Sequence, residues 1–178
     1  MNKKSPTYTV TSIVNTGDDL RFSNRQLRLY ICLILPNVLG LITVIANFSP
    51  IHALVKSINK PPLTLPTFLL VLFWIALYTA LGYASYLIWD TRAFRDDKQK
   101  ALVFCVGQLL LHSLWVSCFF KYHWFFFAFL LHVGFLALAF GNMMLYRQLH
   151  KQAGTIMIIY FAFCAYFTYL NFIVIFIN

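Results

Sequence analysis

The sequence contains no glutamate, and charged residues make up only 11% of its 178 residues, whereas soluble domains carry about a quarter. The acidic residues are five aspartates outside the apolar runs: Asp18, Asp19, Asp90, Asp96 and Asp97. This scarcity argues against carboxylate acid–base catalysis and against carboxylate proton relays inside a membrane. The sequence also lacks a phosphate-binding loop, a metal-spaced Cys/His set and a serine or cysteine nucleophile arrangement, so we favour a non-enzymatic function.

Cysteine is scarce too. The four cysteines lie inside apolar runs and form no C-x-x-C pair: Cys32, Cys105, Cys118 and Cys164. We interpret them as small buried hydrophobic residues and not as disulfides or metal ligands. Basic residues give a net charge of +9, but they are scattered through short segments and form no basic stripe. This distribution favours contact with anionic lipid headgroups over nucleic acid.

Long apolar runs dominate what is present, with 61% hydrophobic residues and a mean hydropathy of +0.73. The run from Phe68 to Trp89 has 22 residues without a charge, enough at about 1.5 Å per residue to cross a hydrocarbon core of roughly 30 Å. Five such runs predict an all-α membrane protein, a bundle of five transmembrane helices. Residues 1–26 are predicted as a polar tail, and 27–178 as the membrane domain, with spans at about 27–48, 68–89, 101–120, 124–146 and 154–177.

The connections predict which spans are neighbours and how they are oriented. The turn at residues 121–123 is so short that the third and fourth spans must be antiparallel neighbours. In the first loop, Pro61, Pro62 and Pro66 prevent helix from continuing. Eleven Lys and Arg lie on the N-terminal side of the spans and three on the other, which predicts a cytoplasmic N-terminus and an outward-facing first loop.

Three helical faces carry aromatic or polar side chains at three- and four-residue spacing. These faces consist of Trp74, Tyr78, Leu81 and Ser85 in the second span; Gln108, His112 and Trp115 in the third; and Tyr160, Phe163, Phe167 and Asn171 in the fifth. Polar side chains inside a span tend to face the bundle interior. Such faces contact either neighbouring helices or a ligand, and the residues alone leave both interpretations open.

Short motifs in a fixed order run through the spans. They comprise Pro36 and Gly40; Lys60, Pro61 and Pro66; Trp74, Leu77, Tyr78, Gly82, Leu87 and Trp89; Gly107, Gln108, Leu109, Leu111, Trp115, Phe119 and Phe120; and Leu170 with Asn171. With these motifs, roughly residues 30–178 resemble the TspO/translocator protein family, which includes the tryptophan-rich sensory proteins and the peripheral benzodiazepine receptors.

The resemblance implies a five-helix bundle, often a homodimer, with a pocket for flat hydrophobic ligands such as protoporphyrin IX or haem. The implied function is a tetrapyrrole-binding sensor or transporter with no obligatory cofactor. The alternatives are a light-dependent protoporphyrin-degrading enzyme and a sterol or lipid translocator. The implied membrane is a bacterial cell membrane or the mitochondrial outer membrane. The expected ligand-binding residues are Trp74, Tyr78, Gln108, His112, Trp115, Tyr160, Phe163, Phe167 and Asn171, and the expected loop gate is Lys60, Pro61 and Pro66.

The chain also departs from the family pattern. Tryptophans usual in the family are replaced by Leu63, Phe68, Ser113 and Phe163. No basic residue follows Asn171, so the vertebrate cholesterol-recognition pattern is missing and sterol transport is poorly supported. His112 stands where the family has asparagine. It is either an axial haem ligand or, as we favour, an interhelical hydrogen-bonding residue, and His132 is predicted to be a core histidine.

Overall fold

The computed structural model describes the backbone from Val10 onward and the side chains from Asn24 onward. In that part of the chain the helices are α1 (Val10–Ala46), α2 (Phe48–Ser57), α3 (Thr67–Asp90), α4 (Arg95–Val116), α5 (Phe125–Leu149) and α6 (Lys151–Ile177). A π-helical turn, Ser117–Lys121, continues α4. All but α2 contain a stretch that is long and apolar enough to cross a membrane. The predicted all-α bundle of five spans is confirmed.

The helices extend beyond the predicted spans at several ends. α1 begins at Val10, so helix occupies most of the segment predicted as a tail, and residues 1–9 lie outside the described residues. Among the residues whose side chains are described, α1 contains a span-length apolar stretch within Asn24–Ala46. α4 begins at Arg95, inside the predicted loop of residues 90–100, with Asp96 and Asp97 in its first turn. Carboxylates at this position stabilise a helix, because the N-terminal end of the helix dipole is positive. Hydropathy marks the segment inside the bilayer, and these helices continue past it.

Two connections differ from the prediction. The first loop contains α2, which the proline cluster led us to miss. Pro50 lies in the first turn of α2, where the missing N–H is tolerated, and the other prolines follow the helix. The last loop, predicted at residues 147–153, is reduced to His150, whose ring accepts a hydrogen bond from the Ala153 N–H at 3.4 Å and caps α6. The turn after α4 is as short as predicted, and α5 packs between α4 and α6.

The core lies where α3, α4, α5 and α6 meet. Its fully buried side chains include Leu81, Phe135, Tyr146 and Met157. Ser85 joins three elements, because its hydroxyl bonds to the Tyr146 hydroxyl at 2.8 Å and lies 3.4 Å from the Cys105 sulfur. The aromatic and polar stripe of the second span therefore faces protein along most of its length.

Candidate functional site

A cavity of about 380 Å³ opens at the end of the bundle where α1 ends and α3 begins. Its walls come from α1, α3, α4 and α6, and its roof comes from α2 and the loop that follows it. Ligand pockets in proteins span about 300–1,000 Å³, so the cavity has room for one small-molecule ligand. The π-helical turn after α4 supplies Phe119 and Phe120 to the cavity wall, and such turns are frequent at functional sites.

Trp74 is the centre of the aromatic wall. Its ring stacks on Phe167 of α6 with centroids 4.7 Å apart and planes 23° apart. It also lies 4.1 Å from the His112 ring and 6.3 Å from Trp115, both on α4. The indole therefore joins three helices at one wall of the cavity. Flat aromatic faces of this kind suit stacking on a flat ligand.

Two hydrogen-bonded pairs form the polar part of the wall. The Tyr78 hydroxyl and His112 Nδ1 share a hydrogen bond of 2.6 Å. The Trp115 indole N–H donates to Asn171 Oδ1 at 2.8 Å, and the Asn171 amide in turn donates to the Phe167 carbonyl oxygen at 2.8 Å. Tyr78, His112, Trp115 and Asn171 are all buried. Burial and these hydrogen bonds therefore fix the orientations of the three rings before any ligand arrives.

His112 makes the interhelical hydrogen bond that we favoured over a haem-ligand role. Its second nitrogen, Nε2, is buried and has no hydrogen-bond partner among the described residues. Because Nε2 is buried and Nδ1 is bonded to Tyr78, we expect neither nitrogen to bind a ligand. His132 is buried in the core, as predicted, with Nδ1 3.0 Å from the Thr168 hydroxyl.

The roof of the cavity is bonded to the end of α6. The backbone N–H of Asn59 donates to Asn178 Oδ1 at 2.8 Å, and the Asn178 amide donates back to the Asn59 carbonyl at 3.1 Å. The Tyr166 hydroxyl donates to the Leu63 carbonyl at 2.8 Å. Leu63 has a φ of 67°, a strained conformation for leucine, and the Tyr166 bond helps to hold it.

Charge in the cavity is limited to one side chain within the described residues. Lys60, in the loop after α2, is the charged residue of the lining, and no aspartate joins it. The remaining lining is apolar apart from the hydrogen-bonded pairs and a few amide or hydroxyl side chains. The electrostatics of the cavity therefore favour an apolar ligand with an anionic group near its outer end.

The structure brings most of the predicted site residues together. The cavity is lined by Trp74, Tyr78, His112, Trp115, Phe167 and Asn171, together with Lys60 and Pro61 of the predicted loop gate. Pro66 does not line the cavity and instead precedes the first residue of α3. The role of each residue in ligand binding stays a prediction.

Three other predicted residues lie outside this cavity. Gln108 is completely buried against α5, with its amide 3.5 Å from the Leu138 carbonyl oxygen. Tyr160 and Phe163 line a shallow groove between α3 and α6. They share a helical face with Phe167, but Tyr160 lies about 10 Å farther along the helix axis at 1.5 Å per residue. The helical spacing of these residues predicts that their side chains point the same way, but it does not predict how far along the helix axis the cavity lies.

Sequence reasoning missed the contribution of α1. Asn37, Gly40 and Thr43 line the cavity, and the Thr43 hydroxyl lies 2.9 Å from the Ser113 hydroxyl of α4. The signal was present as a buried stripe of small and polar residues at helical spacing: Cys32, Pro36, Gly40, Thr43 and Asn47. Such residues let transmembrane helices approach closely.

The comparisons with known proteins agree with this architecture. The model of the TspO/MBR family matches residues 32–177. The chain is similar to the translocator protein of Ovis aries, with 34% identity over 120 residues, covering 65% of this chain and 69% of that protein. It is also similar to the translocator protein of Bos taurus, with 32% identity over 120 residues and the same coverage. The chain therefore belongs to the TspO/MBR family and is an integral multi-pass membrane protein.

Proposed function

We propose that this protein binds a tetrapyrrole, or a similar flat hydrophobic molecule, in the cavity and acts as a sensor or transporter of it. The observation that supports this most is the aromatic wall, in which the half-buried Trp74 ring contacts Phe167 and His112 and lines the cavity. Stacking of aromatic faces favours flat ligands over globular ones. Similarity to proteins named translocators supports a translocating role.

The charge of the lining supports the choice of ligand class. Protoporphyrin IX and haem have a flat apolar ring and carboxylates on one edge, which match the apolar wall and Lys60 at the roof. A lysine ammonium interacts with a carboxylate as a point charge on a flexible stem. We therefore place the carboxylate edge of the ligand under the roof and the ring against Trp74.

Titration of the vesicle-reconstituted protein with protoporphyrin IX tests this proposal. We expect a saturable shift of the porphyrin absorption band at micromolar ligand. Substitution Lys60→Gln is expected to weaken binding of the free acid by about two- to fivefold, the range of an exposed charge pair, and to leave binding of the dimethyl ester unchanged. Lys56→Gln, in α2 but outside the lining, is the matched control. Absence of saturable binding contradicts the proposal.

One observation favours a second candidate function, light-dependent degradation of protoporphyrin. Trp74 and Trp115 both line the cavity with ring centroids 6.3 Å apart, so a bound ring excited by light would lie beside two oxidisable indoles. Timed illumination of the protein with bound protoporphyrin separates the two functions. Loss of the ring that requires Trp74 supports degradation, and an unchanged bound ring supports sensing or transport.

A further inference from the structure

α1 and α3 are closely joined at the end of the bundle away from the cavity. Arg25 Nη2 lies 2.9 Å from Asp90 Oδ2, and Arg25 Nε donates to the Tyr86 hydroxyl at 3.0 Å. Farther along, Gly82 packs directly on the Cys32 carbonyl, where any side chain on Gly82 would collide with backbone. This half of the α1–α3 interface is closed.

At the cavity end the contacts of α1 change. Gly40 packs on the Tyr78 ring of α3, but the next inward residue of α1, Thr43, bonds to Ser113 of α4 at 2.9 Å. Residues of α1 and α3 beyond this point line the cavity. In α3, no residue from Thr67 to Ala76 is buried, whereas Leu77 and Tyr78 begin a buried stretch.

The cavity reaches the side of the bundle between α1 and α3. Four apolar residues of these helices both line the cavity and are exposed on the outer surface, at 59% for Leu41, 47% for Val44, 54% for Val71 and 52% for Ile75. We call these four residues the doorway. They belong to spans that lie within the bilayer, so the doorway faces lipid. An apolar rim of this kind has no cost of desolvation for a ligand arriving from hydrocarbon.

The other approach to the cavity is covered. The roof loop is bonded to α6 through Asn59 with Asn178 and through Leu63 with Tyr166. Asn59 Nδ2 also donates to the Ile177 carbonyl at 3.0 Å. These bonds hold the roof loop over the cavity, whereas a ligand in the bilayer meets only apolar side chains at the doorway.

We propose that ligands exchange between the cavity and the bilayer through the doorway between α1 and α3, beneath a roof that stays closed. This inference rests on the proposed function and narrows its ligand class to flat apolar molecules already dissolved in the membrane. An anionic edge, if present, would enter last and remain near Lys60 and the lipid headgroups. The roof then serves as a fixed wall and not as the gate.

Filling the doorway tests the route. In vesicles loaded with protoporphyrin IX, the double substitution Leu41→Phe with Val71→Phe is expected to slow both association and release by about tenfold, because lateral passage limits exchange. The readout is a parallel fall of the two rates, since a shared barrier slows association and release together. The control is Ile42→Phe with Leu72→Phe: these neighbours are equally exposed, at 56% and 57%, but do not line the cavity.

Variants that loosen the roof loop test the alternative route, in which the ligand enters from water. Tyr166→Phe with Asn178→Ala removes side-chain bonds to the loop and is expected to leave both rates unchanged. Faster exchange in this variant, together with unchanged rates in the doorway variant, would overturn the lateral route while leaving the proposed function intact.

A probe that requires no porphyrin separates the two proposals. A variant with Trp115 as its single tryptophan is reconstituted in phosphatidylcholine brominated on its acyl chains. Trp115 is 7% exposed and lines the cavity, so acyl chains that enter the cavity increase its quenching above that caused by lipid outside the bundle. We expect quenching that the doorway pair reduces and the control pair does not. If wild type fails to bind porphyrin but this pattern holds, the proposed function fails and the doorway stands; equal quenching in all variants, or none, refutes the doorway.

Discussion

Single side chains in the cavity wall are held by other side chains of the wall. Asn171 accepts the indole N–H of Trp115, and Tyr78 bonds to His112. Each bond fixes a ring plane that would otherwise have to be ordered when a ligand binds, and preorganisation of this kind saves binding free energy. At this scale the protein resembles a rigid receptor whose specificity depends on ring positions.

His112 is the residue whose role can be tested most simply. Substitution His112→Ala removes the hydrogen bond to the Tyr78 hydroxyl and leaves that buried group unpaired, which costs about 1–3 kcal/mol in the free energy of unfolding. The haem absorption spectrum is expected to stay unchanged, since Nε2 is buried and Nδ1 is bonded to Tyr78. Tyr78→Phe, which removes the same bond from the other side, is the control. A haem band that shifts only with His112→Ala would establish the axial ligand that we reject.

Phe167 is expected to limit the size of the ligand. Its ring is buried and stacks on Trp74 in the cavity wall, so wild type should bind bulky synthetic benzodiazepine-site ligands weakly. Phe167→Ala should tighten their binding by about tenfold, because removing the ring vacates space next to an apolar wall. Phe163→Ala, in the groove between α3 and α6, should not. Competition binding measures this, and nanomolar affinity in wild type would be the contrary result.

At the scale of the helices, the contact between α1 and α3 determines the shape of the site. Gly82→Ala would place a methyl group against the Cys32 carbonyl, whereas a methyl at Gly107 would meet only Leu138 at an ordinary 3.6 Å. We expect Gly82→Ala to lower the free energy of unfolding by about 1–3 kcal/mol, as overpacking does. Gly107→Ala is expected to be neutral or to stabilise α4 by up to about 1 kcal/mol. Thermal unfolding in detergent compares them, and equal stability would show that α1 and α3 are not in close contact.

The membrane-spanning helices could be predicted from the sequence, because hydropathy determines where they lie. The spans containing Trp74 and Trp115 were located within a few residues, because a bilayer requires about 20 apolar residues per helix. α2 was not predicted, since a ten-residue amphipathic helix beside prolines has no comparable signal. The end of the last loop was missed because a single residue, His150, supplies the turn and the cap.

At the scale of the whole molecule, the bundle is closed at one end and open at the other. Arg25 and Asp90 join α1 to α3 at the closed end, and the cavity occupies the open end beneath α2. The inward faces of α3, α4 and α6 were predictable from helical spacing. The depth at which Gln108 and Tyr160 lie was not, since depth depends on how the helices cross. The stripe of small and polar residues on α1 was visible in the sequence, but its partners, Tyr78 against Gly40 and Ser113 against Thr43, depend on the packing of three helices.

The central claim is that one cavity next to Trp74 holds the ligand. Its most direct test is protoporphyrin IX titration of the Trp89→Phe, Trp124→Phe variant, in which only Trp74 and Trp115 of the four tryptophans remain. We predict saturable one-site quenching of their fluorescence, and a Kd that rises about five- to tenfold when Trp74→Ala is added, as expected for a lost stacking face worth about 1–1.5 kcal/mol. Quenching that does not saturate at micromolar porphyrin, or a Kd that Trp74→Ala leaves unchanged, would contradict the account.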